Sequence, residues 1–276
     1  MGEPLSIGII GGGGWLGRAI AEAIIDAQTV AAELLTLSHR SGQPDFLPNA
    51  TWTRDNQELV DRSDVIIVSV RPQDWPAIDI TASGKLAMSV MAGITLDQLA
   101  GRLKTDRVVR TLPNAAAEVR NSYTPWISSQ GVTADDRNVV RRILEACGAA
   151  DEVKTEADID YLTGLTGSGP AFPALLAAAM MDDALSRGMD PDIARRSVSA
   201  VLVGTGKLLA ARADCPKDIV QTFLDYRGTT AAAIEAMRAA GFESAVADGL
   251  AAALQKSVTM GQATSLPPEA FLRPLV

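Results

Sequence analysis

Short apolar runs alternate with amphipathic stretches through the first half of the chain. Ile7-Gly8-Ile9-Ile10, Leu34-Leu35-Thr36-Leu37, Val65-Ile66-Ile67-Val68-Ser69-Val70, Leu86-Ala87-Met88-Ser89-Val90 and Val108-Val109-Arg110-Thr111 are short and nearly continuous in apolar character, which predicts strands buried on both faces. Between the first two, Trp15 to Ala27 has helical period, so the unit is βαβ and the sheet is expected to be mostly parallel. The polar stretch Asp151 to Ala157 marks a boundary, with one domain expected over 1–155 and a second over 156–276. Beyond it the strand pattern stops. Asp190-Pro191 reads as N-cap and first helical residue, followed by Ile193, Val198, Val201, Leu202, Leu208 and Leu209 at helical spacing. Thr229 to Ala240 predicts another helix, closed by Gly241, and a third is expected from about Ser244 to Val258. The expected fold class is α/β: an N-terminal Rossmann-type, mostly parallel sheet and an all-helical C-terminal dimerisation domain. Its alanine-rich faces exceed what one small domain covers, so a homodimer or higher homo-oligomer is expected.

Composition narrows the function. At 276 residues with 47% hydrophobic content, the chain is large enough to bury a core without disulfide staples. The net charge of −8 speaks against a nucleic-acid or anionic-membrane partner. The longest apolar run, Ala174 to Met181, is far short of the ~20 residues of a membrane helix. The N-terminal stretch lacks the basic region of a secretory signal, and Cys147 and Cys215 are the only cysteines, so a cytoplasmic protein is expected. One histidine, His39, leaves no material for a zinc cluster or a Ser-His-Asp triad.

Gly11-Gly12-Gly13-Gly14-Trp15-Leu16-Gly17 stands where the first strand meets the first helix. Gly12, Gly14 and Gly17 fit dinucleotide spacing: a tight turn, close approach to a pyrophosphate, and helix–strand packing, with the anion on the helix N-terminus. Gly11 and Gly13 offer a second register. At the end of the second strand, an NAD site carries an acid for the ribose 2′-hydroxyl, whereas an NADP site carries groups that take a 2′-phosphate. Here the residues are Ser38-His39-Arg40-Ser41, and the nearest acid, Glu33, precedes the strand. NADP(H) is therefore preferred, with His39, Arg40 and Ser41 at the phosphate and NAD(H) still admissible.

A ketone reductase needs a side-chain acid for the alkoxide it creates, and the one histidine lies in the wrong loop. The helical domain's Gly164-Leu165-Thr166-Gly167-Ser168-Gly169 resembles that of the 3-hydroxyacid dehydrogenases. Pro173 and Leu176, however, stand where that family has its lysine and asparagine. A cyclic imine removes the difficulty, because its nitrogen is protonated near neutral pH and keeps that proton in the product amine. Orientation and polar contacts then suffice.

At this point the sequence resembles the pyrroline-5-carboxylate reductases over nearly its whole length. Val70-Arg71-Pro72-Gln73 resembles their Val-Lys-Pro-Gln, Met91-Ala92-Gly93-Ile94-Thr95 their Ala-Gly-Ile-Thr turn, and Arg110-Thr111-Leu112-Pro113-Asn114 their Arg-x-Met-Pro-Asn. Thr166-Gly167-Ser168-Gly169-Pro170-Ala171-Phe172 resembles their Ser-Gly-Ser-Gly-Pro-Ala-Tyr/Phe. The resemblance implies NAD(P)H-dependent reduction of 1-pyrroline-5-carboxylate to proline. It also implies that Trp15, Leu16, Asn56, Ser69, Val70, Arg71, Pro72, Ala92 and Gly93 join the glycine loop around the cofactor.

The family's substrate loop, Ser/Thr-Pro-Gly-Gly-x-Thr, reads here Asp225-Tyr226-Arg227-Gly228-Thr229-Thr230. The resemblance makes Thr230 the catalytic contact to the ring nitrogen, a position that also reads as a plain helix N-cap. Asp225, Arg227, Gly228 and Thr229 complete the expected substrate site. At ~4 Å and an effective dielectric near 20, Asp225 would repel a substrate carboxylate by about 4 kcal/mol; Arg227 offsets this by pairing with Asp225 or by taking the carboxylate itself. The family's Asn-Thr-Pro is also altered, to Asn114-Ala115-Ala116. Two alternatives stay open: a paralogue acting on another cyclic imine or amine, and a non-catalytic NADP-binding sensor.

Overall fold

The computed structural model describes residues 4–40, 42, 44–212 and 214–263. The chain divides into two compact units, one reaching Ser168 and resuming at Ala252, the other spanning Gly169–Ala251. The sequence pattern had set the division at 155/156. The compact first unit includes the segment from 156 to 168, which is tied to the sheet by ion pairs described below.

In chain order the first unit runs β1 (Ile7–Ile10), α1 (Trp15–Asp26), β2 (Leu35–Ser38), β3 (Thr51–Thr53), α2 (Asn56–Asp61), β4 (Val65–Val68), β5 (Leu86–Ser89), α3 (Leu96–Leu103), β6 (Val108–Thr111), β7 (Ser122–Ser128), α4 (Ala134–Glu145), β8 (Gly148–Glu152) and α5 (Glu156–Leu162). The strands form one sheet in the order β3-β2-β1-β4-β5-β6-β7-β8. All pairings are parallel except β6 with β7. The expected Rossmann-type, mostly parallel sheet is thus present. Its order reverses at β1, with β2 on one side and β4 on the other, and ligands of such sheets bind outside the strand ends at that switch point.

Continuous apolar runs arise because each strand feeds two cores. Ile7, Ile9, Val65, Ile67, Leu86 and Met88 pack on one face with Ala19, Ile20, Ala23 and Ile24 of α1 and Val140, Ile143 and Leu144 of α4. Ile10, Ile66, Val68, Ala87 and Val108 pack on the other with Leu59 and Val60 of α2 and Leu99 and Leu103 of α3. Each fully buried isoleucine contributes roughly 2 kcal/mol over an exposed one.

Three strands escaped the sequence pattern. β3 has three residues, and Gly148-Ala149-Ala150-Asp151-Glu152 of β8 is an outer strand with mostly polar exposure. β7 carries Pro125 in an interior strand, a residue that ordinarily argues against one. Its carbonyl still accepts from Leu112 N–H at 3.1 Å.

Beyond α5 come a π-helical turn (Thr163–Gly167) and then α6 (Ala171–Ser186), α7 (Pro191–Ala211), α8 (Pro216–Asp225), α9 (Thr229–Ala239) and α10 (Phe242–Ala263). No strand occurs among the described residues after β8, as the pattern predicts. Asp190 caps α7 by accepting from the N–H groups of Asp192 and Ile193, both at 3.0 Å. Gly241, at φ +84°, follows α9 where a left-handed residue ends a helix. α6 buries none of its residues, and Leu175, Val201 and Val203 lie open. No helix among the described residues is long and apolar enough to cross a membrane.

Within the first unit, Arg110 of β6 is only 1% exposed and donates to Glu156 at 3.0 Å and Asp160 at 2.6 Å, both on α5. Ser257 in the distal half of α10 donates to the same Asp160 at 3.1 Å. A buried cation is tolerable only while its partners remain. Arg110→Ala is therefore expected to lower the unfolding free energy by about 3 kcal/mol, because it strands two partly buried carboxylates; urea denaturation checks this.

Candidate active site

The glycine turn is built by close approach. Gly12 N–H donates to Ile9 carbonyl at 3.2 Å and Gly14 N–H to Gly11 carbonyl at 3.0 Å. A Cβ on Gly17 would lie 2.5 Å from Gly11 carbonyl oxygen and 2.9 Å from Gly12 Cα, so only glycine lets α1 pack onto the turn. Gly11 sits at φ +80°, and a side chain there would meet Ser69 carbonyl oxygen at 2.5 Å. Gly14 is the N-cap of α1 and offers no side chain to it, and the first turn holds no acid. The helix therefore starts with no side-chain acceptor and no carboxylate, which fits an anion.

Ser38 holds this turn from β2. It is buried, its hydroxyl accepts from Gly11 N–H at 3.1 Å, and its carbonyl accepts from Gly13 N–H at 3.4 Å. Sequence reading named Ser38 only as a strand end; the available signal was a polar residue closing an apolar strand.

The other expected cofactor residues occupy varied settings along the first unit. Trp15 opens α1 and is half exposed, while Leu16 packs against the core of that face. His39 lies edge-on to Trp52, ring centroids 5.8 Å apart, with its Nδ1 buried and unpartnered. Asn56 begins α2, behind the N-cap Asp55. Ser69 N–H donates to Ile10 carbonyl at 2.8 Å, beside half-buried Val70. Arg71 precedes a 3-10 turn that starts at Pro72. Ala92 is half-buried, and Gly93 takes φ +78° with its Cα too close to Gly261 N for any Cβ. Ser41 lies outside the described residues.

Arg40 and Arg71 converge on one carboxylate, Asp74, which the sequence reading did not select. Arg40 Nη2 donates to Asp74 Oδ2 at 3.2 Å, and Arg71 Nε donates to the same oxygen at 2.9 Å. The hydrogen bond from Arg71 holds the Asp74 carboxyl below the usual carboxylate range, with the Arg40 charge adding to it, and Asp74 in turn raises Arg71.

In the helical unit, Gly228 is the N-cap of α9, which has no side-chain cap and no acid in its first turn. The reading of Thr230 as a helix cap is corrected here. The cap falls two residues earlier, and the Thr230 side chain is exposed. Arg227 adopts φ +52°, a left-handed conformation that explains why glycine suits this position. Asp225 accepts from Gln221 Nε2 at 2.7 Å within α8, and its partner there is this amide rather than Arg227. Of the two ways Arg227 was expected to offset Asp225, pairing between them is therefore not what the fold adopts. Tyr226 is 88% exposed.

A family model described as pyrroline-5-carboxylate reductase dimerisation matches residues 156–260, and one described as NADP oxidoreductase, coenzyme F420-dependent, matches residues 6–93. A pyrroline-5-carboxylate reductase of Methanosarcina acetivorans is 30% identical over 273 residues, covering 94% of this chain and 99% of that one. Another, from Pseudomonas aeruginosa, is 32% identical over 213 residues, 75% and 78% of the two chains. The chain belongs to the pyrroline-5-carboxylate reductase family. Its fold also matches a solved Plasmodium falciparum pyrroline carboxylate reductase with NADP bound, at TM-score 0.82 and 23% identity over 94% of this chain and 99% of that one.

No group of three or more His, Cys, Asp or Glu residues among the described residues is placed to hold a metal. Burial pushes the Cys147 thiol up to about 11, so it stays protonated and unreactive. For the glycine turn of this family member, Ser38→Ala leaves the Gly11 N–H without its acceptor. The substitution is expected to cost about 1–2 kcal/mol of stability and to speed hydrogen exchange at Gly11; chemical denaturation and exchange measurements check both.

Proposed function

We propose that this chain reduces the C=N bond of 1-pyrroline-5-carboxylate to L-proline with NADP(H), as a homodimer or larger homo-oligomer. The observation that carries the reading is identity of 30% or more to curated reductases across three quarters or more of the chain. The glycine turn supports the cofactor: a Cβ on Gly12 would meet Leu37 and one on Gly17 the Gly11–Gly12 backbone, so glycines hold the turn tight, and the uncapped N-terminus of α1 favours a pyrophosphate's charge. His39, Arg40 and Ser41 would take the 2′-phosphate, while Asn56, Ser69, Val70, Arg71, Pro72, Ala92 and Gly93 would border the remainder. When bound, NADP(H) supplies the hydride.

In the helical unit, the residues from Gly228 to Thr230 would receive the substrate carboxylate at the uncapped start of α9. Arg227 adds positive charge next to it, and the tie from Gln221 draws Asp225 into a separate hydrogen bond. The Thr230 hydroxyl, not spent on capping, would hold the imine nitrogen. Because that nitrogen is already protonated and remains so in proline, this group positions the substrate rather than delivering a proton. The exposed aliphatic faces of α6 and α7 and the match to a dimerisation model support a second copy of the chain as their cover.

Purified protein is expected to oxidise NADPH with pyrroline-5-carboxylate; turnover of a lysine- or arginine-derived cyclic imine but not of pyrroline-5-carboxylate overturns the substrate assignment, and turnover of no imine favours the sensor reading. Thr230→Ala is expected to lower kcat roughly 10–100-fold, the equivalent of one hydrogen bond to a charged group, with the NADPH dissociation constant within about twofold of wild type. Unchanged turnover in steady-state assays would remove Thr230 from the reaction.

A further inference from the structure

The cofactor preference read from sequence rests on the lack of an acid in Ser38-His39-Arg40-Ser41 at the end of β2, yet the fold brings one to Arg40 from the turn after β4. Asp74 belongs to the 3-10 turn Pro72–Ala77 that follows β4, and its carboxylate reaches Arg40 in the loop after β2. Arg71 grips the same carboxylate through Nε at 2.9 Å and Nη2 at 3.4 Å. The Asp74 side chain is 21% exposed, against 78% for Arg40 and 65% for Arg71. The anion is thus the sheltered member of the trio, and the cations are the ones free to swing. Asp74 N–H also donates to Arg71 carbonyl at 2.8 Å, which fixes the turn that presents the carboxylate.

We infer that Asp74 is a cofactor-specificity residue, which competes with the 2′-phosphate of NADPH for Arg40 and offers the 2′-hydroxyl of NADH an acceptor. The inference rests on the NADP(H) reading above. The nitrogen that Arg40 gives to Asp74 is Nη2, so a 2′-phosphate that takes Arg40 by a fork including Nη2 draws it away and then lies near a carboxylate of like charge. NADH carries no such phosphate and its ribose hydroxyl donates to a carboxylate, as at NAD sites whose acid stands at the end of the second strand. Arg71 stays on Asp74 in either case and keeps it ionised and aimed. The site is therefore one that admits both dinucleotides, with its bias toward NADPH reduced by a residue distant in sequence from the loop that normally decides it.

The test is direct binding of NADPH and NADH, followed by fluorescence titration without any imine, for the wild type, Asp74→Asn, Arg40→Ala and the double variant. Asp74→Asn keeps the side chain's shape and removes its charge, and Asp74→Ser provides a smaller second variant. Both are expected to tighten NADPH about three- to tenfold, as for removal of one partly screened like charge, and to leave NADH unchanged or weaker. Arg40→Ala is expected to weaken NADPH alone, and in that background Asp74→Asn should no longer tighten it, because the competition is over Arg40. An unchanged NADPH-to-NADH ratio in both Asp74 variants overturns this inference while leaving the cofactor reading intact. So does weaker NADPH binding, which would make Asp74 an organiser of the arginines. Binding of neither dinucleotide to the wild type overturns the cofactor reading, and this inference with it.

Discussion

The tight seat of α1 on the glycine turn is the constraint from which the rest of the first unit follows. Gly17 lies so close to the Gly11 carbonyl and the Gly12 backbone that no side chain fits there. This contact fixes where the helix begins and where its N–H groups point. It also fixes which residues of β2 and β4 can flank them, because β1 sits between these two strands. Ser38 then closes the turn from one side, and the Ser69 backbone closes it from the other. A helix start without cap or acid follows from the same glycines, so the geometry that permits packing also leaves a place for negative charge.

Charge is organised locally against an acidic whole. The chain carries −8, yet two arginines stand over the switch point and are held together by one aspartate. Elsewhere the same economy of charge is structural. Arg110 ties β6 to α5 and, through Asp160 and Ser257, to the distal part of α10. Arg107 pairs with Asp136, whose carboxyl burial would raise but which hydrogen bonds from Arg107 and Thr133 carry below its usual range. That pair supports the native state above the ordinary aspartate range and is lost as pH falls through the lowered value.

The helical unit shows how little of its surface one chain covers. Among the described residues Ala194, Val198, Ile219 and Ala231 are its buried apolar ones, while much of α6 and α7 remains open. Its substrate-loop residues depart from the family pattern without losing the backbone that pattern encodes. Arg227 adopts the left-handed conformation at the family's glycine position, and Gly228 still precedes the uncapped helix.

Period and punctuation in the sequence determined the five apolar strands β1, β2, β4, β5 and β6, helices α1, α7 and α9, the glycine turn, and the family motifs in their order. These are local properties, because a strand covered on both faces must be apolar throughout and a turn without room for a Cβ must be glycine. Three kinds of feature were decided only by tertiary structure. Strands β3, β7 and β8 are short, proline-bearing or alanine-rich and acquire strand character from their neighbours in the sheet. Glu156 and Asp160, just beyond the division expected at 155, are bound to a buried arginine some fifty residues earlier. Asp74 and Ser38 gained their places at the site from the switch in strand order, which sets the ends of β2 and β4 on either side of β1. Spacing along a chain says which residues are near in sequence, and only the packing of parallel strands decides which loops share a corner of space.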